Sequence, residues 1–557
     1  MNKKSDKSNI YEKSLEKQKA NYSPLTPLSF ISRAAKVYGD KTAVIHGDRK
    51  YTWLETYNRS KRLASALNKI GIGEGDTVAF MGSNTPELYE AHFGVPMSGA
   101  VLNALNIRLD AKTIAYILDH GEAKVLFTDR EFSETIKDAL KIASVQPTVI
   151  DVDDVLAPPG DLLGKHDYEA FIDTGASDYH WAMPSDEWDA ISLNYTSGTT
   201  GPSKGVMLTH GHLFSFAINS AKVAYLTRED VYYICMPLFH VNGLSIQCFA
   251  ALYAGIRVYC RERFSPTNWL SDIIKSGATV TNLLGVMPEF VFNTAPSSLD
   301  KNHSLRMVSA VPISKEWGKA FEKRFNVKFL QGFGMTESGM SFWGDLTEEN
   351  LIPGCAGYPM NDLYEVKIAN PENDEFLPPN TVGELLIRPK HPGIFSAGYY
   401  KMPEKTLESW RNLWFHTGDA CSFDEKGRMH YFDRIKDCIR RRGENISAFE
   451  LEQVINAYES IIECAAIGVK TEESGGEDEV LVCIVKEENS EIELGSFLSY
   501  CKKNLPRFAI PKFVRFVDSI IKTGSGKLSK VKIREEGLTS DSLLLDPSFK
   551  KPVNKIQ

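Results

Sequence analysis

Residues 195–206 read YTSGTTGPSKGV, and this stretch decides the reading of the whole chain. Thr196, Ser197, Thr199, Thr200 and Ser203 crowd hydroxyls into it, Gly198, Gly201 and Gly205 let the backbone bend, and Lys204 adds a cation. Glycine removes the Cβ that would keep a ligand at a distance. Successive N–H groups in such a loop form an anion-binding concavity, so a polyphosphate is the ligand it suits. The stretch Ala190-Ile191-Ser192-Leu193-Asn194-Tyr195 reads as a strand that would hold the loop on a rigid base. A flexible linker would favour glycine and serine without the fixed lysine or the leading strand.

The spacing is not the G-x-x-x-x-G-K-[ST] of a standard phosphate loop. Pro202 and Ser203 separate Gly201 from Lys204, and Gly205 follows. The pattern resembles the phosphate loop of the adenylate-forming superfamily: acyl-CoA synthetases, luciferases and peptide-synthetase adenylation domains.

Five further segments occur in that superfamily's order. Phe239-His240-Val241-Asn242-Gly243 is similar to a segment beside the acyl pocket; taken alone, a single histidine is more often structural. Gly332-Phe333-Gly334-Met335-Thr336-Glu337 by itself marks only a turn. The resemblance implies that it faces the nucleotide, with Thr336 at the α-phosphate and Glu337 holding Mg²⁺, a cation that prefers oxygen ligands. Thr417-Gly418-Asp419 would set a carboxylate on the ribose hydroxyls, a task suited to an acceptor of two hydrogen bonds. Arg434 would join it there, Lys436 would be the hinge, and Gly443 and Glu444 would line the thiol tunnel. The run Arg440-Arg441-Arg442 reads as a solvated face, or as a contact for coenzyme A phosphates. Lys527, in Lys522-Thr523-Gly524-Ser525-Gly526-Lys527, matches the mobile lysine that neutralises charge at the α-phosphate. By the same resemblance Thr196, Ser197, Gly198, Thr199, Thr200, Gly201, Lys204, Gly332, Gly334, Asp419 and Arg434 form the ATP site. Lys527, Thr336, Glu337 and His240 are its catalytic candidates. His240, Asn242, Asn282, Gly285, Val286 and Met287 would line the acyl pocket. One segment departs from the pattern: Val308-Ser309-Ala310-Val311-Pro312 stands where many members place smaller residues against adenine.

The bulk composition agrees with this reading. At 557 residues the chain is too long for one simple domain. The hydrophobic share of 43% and charged share of 24% are those of a globular protein, and the net charge of −8 argues against a nucleic-acid binder. Nine cysteines contain no C-x-x-C pair, so buried free thiols in a reducing compartment are expected. The N-terminus is charged and lacks an apolar signal core. No run approaches the ~20 apolar residues that span a bilayer. A cytoplasmic location follows as an expectation, and a homodimer is compatible with the sequence.

Apolar runs at 77–81, 124–127 and 257–259 alternate with helical patterns at 53–70 and 267–275, which predicts an α/β fold with parallel sheets covered by helices. A β-rich piece is expected from about Val382. Beyond 435, a capping pattern at 447–450, amphipathic spacing of Leu451, Val454, Ile455 and Tyr458, a strand at 480–486 and a helix at 492–505 predict a small mobile α+β domain. The expected divisions are an N-terminal arm, 1–24; a large domain, 25–435; the hinge Lys436; a small domain, 437–538; and a tail, 539–557.

The implied activity is an acyl-CoA synthetase. It would use ATP, Mg²⁺ and coenzyme A and act on a short- to medium-chain carboxylic acid. A peptide-synthetase module would continue into a carrier domain, for which the ~30 residues after Lys527 are too few. Luciferase-like oxidation shares these motifs. A ligase for a small polar, carnitine-like acid is the alternative within the class; a non-catalytic nucleotide-binding regulator is the alternative outside it.

Overall fold

The computed structural model describes residues 21–196, 203–311, 313, 317–346, 351–435, 439–441, 444–471, 478–488, 490–522, 528 and 530–545. Ser197, Gly198, Thr199, Thr200, Gly201, Pro312, Lys436, Gly443, Lys527 and most of the N-terminal arm lie outside them.

Two mainly parallel sheets form the large part of the chain. One has the order Thr148–Val152, Ala123–Asp129, Thr77–Met81, Val101–Ala104, Ala190–Thr196, Lys204–Thr209, parallel until its last pair. The other runs Lys328–Leu330, Met307–Val311, Val280–Leu284, Val231–Ile234, Arg257–Cys260, Thr42–His46, Arg49–Thr52 and ends in a hairpin. Strands buried on both faces need continuous apolar runs, and Thr77–Met81 is buried at every position.

The helices that cover these sheets carry local start signals. Trp53–Lys69 opens with a reciprocal capping box between Thr52 and Glu55. Pro86–Met97 begins with a proline in its first turn and is buried throughout. It lies close to the preceding helix because position 94 is glycine; a Cβ there would stand 2.8 Å from the Ser60 carbonyl oxygen. The largest apolar cluster includes Trp53, Phe80, Phe93, Phe127 and Phe249.

The β-rich piece begins about fifty residues earlier than expected. An antiparallel sheet of seven strands starts with Gly332–Met335 and Gly339–Trp343 and closes with Gly383–Pro389 and Tyr364–Ala369. The early hairpin escapes a reading by composition because Gly332 and Gly334 imitate a turn. They are small for another reason: Cβ atoms there would meet Met340 at 2.8 Å and 2.5 Å.

The C-terminal part packs helices Ala448–Asn456 and Leu494–Asn504 on the sheet Ile461–Lys470, Asp478–Lys486, Phe513–Phe516, Leu543–Leu544. Residues placed by sequence in the tail belong to this unit: Leu543–Leu544 pairs with Phe513 and Val514, and Leu545 is buried. Arg441 is neither a solvated cation nor presented to a ligand. It is 1% exposed, donates to the carbonyls of Phe508 and Ile510 and pairs with Glu479 at 2.6 Å. A charge this deep needs such partners. Eight described cysteines are buried free thiols. Among the described residues, no helix is long and apolar enough to cross a membrane.

Candidate active site

Strands Ala190–Thr196 and Lys204–Thr209 pair antiparallel, setting Tyr195 opposite Gly205 and Thr196 opposite Lys204. Lys204 is therefore the first residue of a strand, its backbone held by the sheet. Its ammonium lies 4.0 Å from the centre of the Tyr399 ring, a cation–π distance. Burial holds its pKa below the usual lysine value, and the Glu337 charge partly offsets that effect.

Glu337 is buried at the turn between Gly332–Met335 and Gly339–Trp343, next to Thr336. The Tyr399 hydroxyl donates to Glu337 Oε1 at 2.8 Å, and Ser396 N–H donates to the Glu337 carbonyl at 2.8 Å. His212 backs the same turn, with Nε2 3.2 Å from the Thr336 carbonyl and Nδ1 2.9 Å from the Ile394 carbonyl. Burial lowers its pKa. One tyrosine thus joins the lysine that opens strand Lys204–Thr209 to the glutamate of the hairpin turn.

The segment 397–400 brings Tyr399 to this place. Met207 N–H donates to the Gly398 carbonyl at 2.9 Å, Ala397 N–H to the Met207 carbonyl at 2.9 Å and Tyr400 N–H to the Gly205 carbonyl at 2.8 Å. Tyr399, His212, Ser396 and Glu384 were missed by motif reading. Each acts across a long sequence separation on a residue that the motifs did identify.

Asp419 is 2% exposed within strand Phe415–Phe423, and its Oδ1 lies 3.0 Å from Arg434 Nε. The register pairs these residues directly, and Arg434 Nη1 also donates to the Thr417 carbonyl at 2.9 Å. Gly418 adopts φ +71, which favours glycine. Glu384 fixes this bend: Oε1 accepts the Gly418 N–H at 2.9 Å and Oε2 contacts His416 Nδ1 at 2.9 Å.

Of the acyl-pocket candidates, Asn282 lies within the parallel strand Val280–Leu284, Gly285, Val286 and Met287 follow its C-terminal end, and His240 and Asn242 follow strand Val231–Ile234; hydrogen bonds join His240, Asn242 and Asn282. Asn242 begins an eight-residue π-helix, Asn242–Phe249; such helices are rare and frequent at functional sites. Its N–H donates to His240 Nδ1 at 3.1 Å. Asn282, fully buried, donates to Asn242 Oδ1 at 2.9 Å and accepts from the Tyr232 hydroxyl at 2.9 Å. Met287 is half-buried against a neighbouring core cluster. Gly285 and Val286 face solvent, Val286 with 53% exposure. In the departing segment Ser309 is buried and lies next to Asn282 in register, while Val311 sits half-buried at the strand's end. Glu444 contributes backbone to the short hairpin Ile439–Arg441/Glu444–Ile446.

The fold matches that of solved adenylate-forming CoA ligases. Comparison with known proteins makes the assignment specific. The profile described as AMP-binding enzyme matches residues 31–400, and that of the AMP-binding enzyme C-terminal domain matches residues 450–527. The chain belongs to this family and is an AMP-forming acid–CoA ligase. Its relatives include the peroxisomal trans-cinnamate:CoA ligase of Petunia hybrida, 34% identical over 94% of this chain and 95% of that one. An acetate–CoA ligase of Humulus lupulus is 32% identical over 93% and 96%. A 2-methylpropanoate–CoA ligase of the same plant is 33% identical over 94% and 96%. Among solved structures, ATP-bound MatB from Rhodopseudomonas palustris has a TM-score of 0.78 at 25% identity, covering 91% of this chain and 98% of that one.

Proposed function

We propose that the chain activates a short- to medium-chain monocarboxylic acid with ATP and passes the acyl group to coenzyme A. In the first half-reaction a carboxylate oxygen attacks the α-phosphorus, forming the acyl-adenylate as pyrophosphate leaves. In the second, the thiolate of coenzyme A attacks the acyl carbonyl and AMP leaves. The observation that carries this reading is the Lys204–Tyr399–Glu337 linkage at the phosphate-loop stem.

Each group has a role within this reading. Residues 196–201 and Lys204 grip the β- and γ-phosphates. Thr336 meets the α-phosphate, and Asp419 with Arg434 holds the ribose. Lys527 neutralises charge as pyrophosphate departs. The small domain then turns about Lys436, and Gly443 with Glu444 lines the thiol path. Catalysis of this kind is positioning and electrostatic stabilisation, without a covalent enzyme intermediate.

Glu337 suits Mg²⁺. Tyr399 engages Oε1, and hydrogen bonds among the described residues leave Oε2 for a hard cation. When bound, Mg²⁺ neutralises phosphate charge.

An apolar acid is supported by the relatives' acids and by Asn282, whose amide is engaged at both ends by Tyr232 and Asn242. A zwitterionic acid would call for a charged partner, and the pocket candidates offer none beyond His240. Relatives with peroxisomal names set an organelle beside the cytoplasmic location expected here; fractionation of the native protein distinguishes them.

The test is acid-dependent exchange of labelled pyrophosphate into ATP with Mg²⁺. The panel runs from acetate to decanoate, with aryl, methylthio and carnitine-like acids. Exchange with short or medium aliphatic acids supports the proposal. Exchange confined to zwitterionic acids, or none despite bound ATP, overturns it.

A further inference from the structure

The turn that carries Thr336 and Glu337 is held in a way that strand pairing does not supply. The ladder of its hairpin ends at the pair Met335 and Gly339, so residues 336–338 lie beyond it. All three of their carbonyls meet donors from distant segments. The Tyr364 hydroxyl donates to the Ser338 carbonyl at 2.6 Å, and Ser396 N–H donates to that of Glu337 at 2.8 Å. The Thr336 carbonyl faces His212 Nε2 at 3.2 Å.

His212 also reaches a second segment. Its Nδ1 lies 2.9 Å from the Ile394 carbonyl, on the stretch that runs through Ser396 to Tyr399. One imidazole therefore bridges the turn to the segment whose tyrosine holds the Glu337 carboxylate. The ring has little freedom of its own. It is 1% exposed and stands in the first turn of helix His210–Val223, where its backbone N–H donates to the capping Thr209 hydroxyl. Phe216 lies against it at 5.9 Å. Gly339, at φ +68, leaves space for it: a Cβ there would stand 3.3 Å from His212 Cε1.

Both partners of the ring are carbonyls, which only accept. A neutral imidazole offers one N–H. Burial favours the neutral ring, although the two carbonyls act the other way. The Ile394 carbonyl has a second donor in reach, the Tyr364 hydroxyl at 3.4 Å. Among the described residues the Thr336 carbonyl has no other, so the hydrogen-bond network assigns the ring proton to Nε2.

We propose that His212 is a positioning residue for adenylation: its Nε2–H fixes the Thr336 carbonyl, and with it the direction from which Thr336 and Glu337 meet the α-phosphate and its cation. This deepens the reading of those two residues given above and rests on it. His212 touches no reacting atom in this scheme. The thioester half-reaction, which begins after pyrophosphate has left, does not depend on this hold.

The experiment follows both half-reactions in the full chain: pyrophosphate exchange with an acid it activates, and thioester formation from supplied acyl-adenylate and coenzyme A. His212→Phe keeps a ring against Phe216 and removes both polar contacts. Loss of one hydrogen bond of ordinary strength predicts that kcat for exchange falls about 5-fold, and by no more than about 12-fold. Thioester formation should stay within about twofold. His212→Gln brings an amide N–H to the reach of Nε2 and should restore exchange. His212→Asn, whose shorter amide reaches only the place of Nδ1, should not. Should His212→Phe fail to fold, the contrast between the Gln and Asn variants carries the test. A further readout needs no turnover: with ¹⁵N-labelled histidine, the ring signal that His212→Gln removes should be that of an imidazole protonated at Nε2. Protonation at Nδ1 alone, rescue by Asn in place of Gln, or full exchange activity in the Phe variant overturns the proposal. Equal losses in both half-reactions would mean a purely structural role and overturn it as well. Glu337→Gln separates this proposal from the reading beneath it. If that variant cripples exchange and His212→Phe does not, the His212 role alone falls. If it leaves exchange unchanged, the reading of the turn falls and the proposal with it.

Discussion

Tyr399 offers the sharpest test of the site because its two contacts can be removed separately. Its hydroxyl donates to Glu337 Oε1 at 2.8 Å, and its ring lies 4.0 Å from the Lys204 ammonium. Both Tyr399 and Glu337 are buried, at 5% and 6% exposure, so water replaces a lost donor poorly. A hydrogen bond to a charged group contributes about 1.5–3 kcal/mol. If the bond persists in the reacting complex, Tyr399→Phe should slow adenylation by at most about 10- to 150-fold. The ring survives in that variant, so KM for MgATP should change little. Tyr399→Ala also removes the cation–π contact, about 0.5–2 kcal/mol, which adds a further factor of roughly 2 to 30. That second loss should appear in KM for MgATP, because Lys204 is the residue released. The assay is initial-rate pyrophosphate exchange with ATP and acid varied independently. A Tyr399→Phe enzyme of full activity would refute the hydroxyl's role. Identical kinetics for the Phe and Ala variants would refute the ring's role.

Three other outcomes follow from the same structure. Glu384→Ala should lower stability by about 3–5 kcal/mol in urea unfolding, because it strands the Gly418 N–H and the buried His416 while removing a partner of Arg411; a loss below ~1 kcal/mol would contradict that. His92, wholly enclosed, has its pKa pushed down to about 3 by burial. Its contribution is therefore complete above the unfolded value near 6.5 and is lost as pH falls from there toward 3, about 2 kcal/mol by pH 5. Burial pushes Glu90, Asp129 and Glu452 up to about 7, so these stabilise the fold as pH falls and oppose the histidine. The quantity to measure is thus the wild-type minus His92→Leu difference in unfolding free energy at pH 7 and pH 5, which should shrink on acidification; a constant difference counts against burial as the cause. Lys527→Ala should depress pyrophosphate exchange by roughly two to three orders of magnitude while thioester formation from supplied acyl-adenylate persists; full exchange activity would remove Lys527 from the first half-reaction.

The family was legible because its motifs are written in contiguous residues: the hydroxyl- and glycine-rich segment before Lys204, Thr336-Glu337 and Thr417-Gly418-Asp419 carry the resemblance, and of these the bend at Gly418 is seen in the structure at φ +71. Buried strands such as Thr77–Met81 were readable for a related reason: burial on both faces demands an unbroken apolar run. The hairpin Gly332–Trp343 was not, since its glycines serve cross-strand packing against Met340 rather than chain reversal. Arg441 was misread because an arginine run gives no sign that one member is enclosed by Glu479 and two carbonyls from residues 508 and 510.

The sequence by itself determined the family of reactions and the division into a large α/β part and a small α+β part. Only the tertiary structure decided what holds the site in shape. Tyr399 reaches Lys204 because residues 397–400 lie along strand Lys204–Thr209, and it reaches Glu337 across 62 positions. His212 meets the Thr336 carbonyl across 124 positions. Periodicity and spacing report the conformation of a few adjacent residues. Contacts of this range depend on strand order, register and the packing of whole sheets, and become visible once the chain has folded.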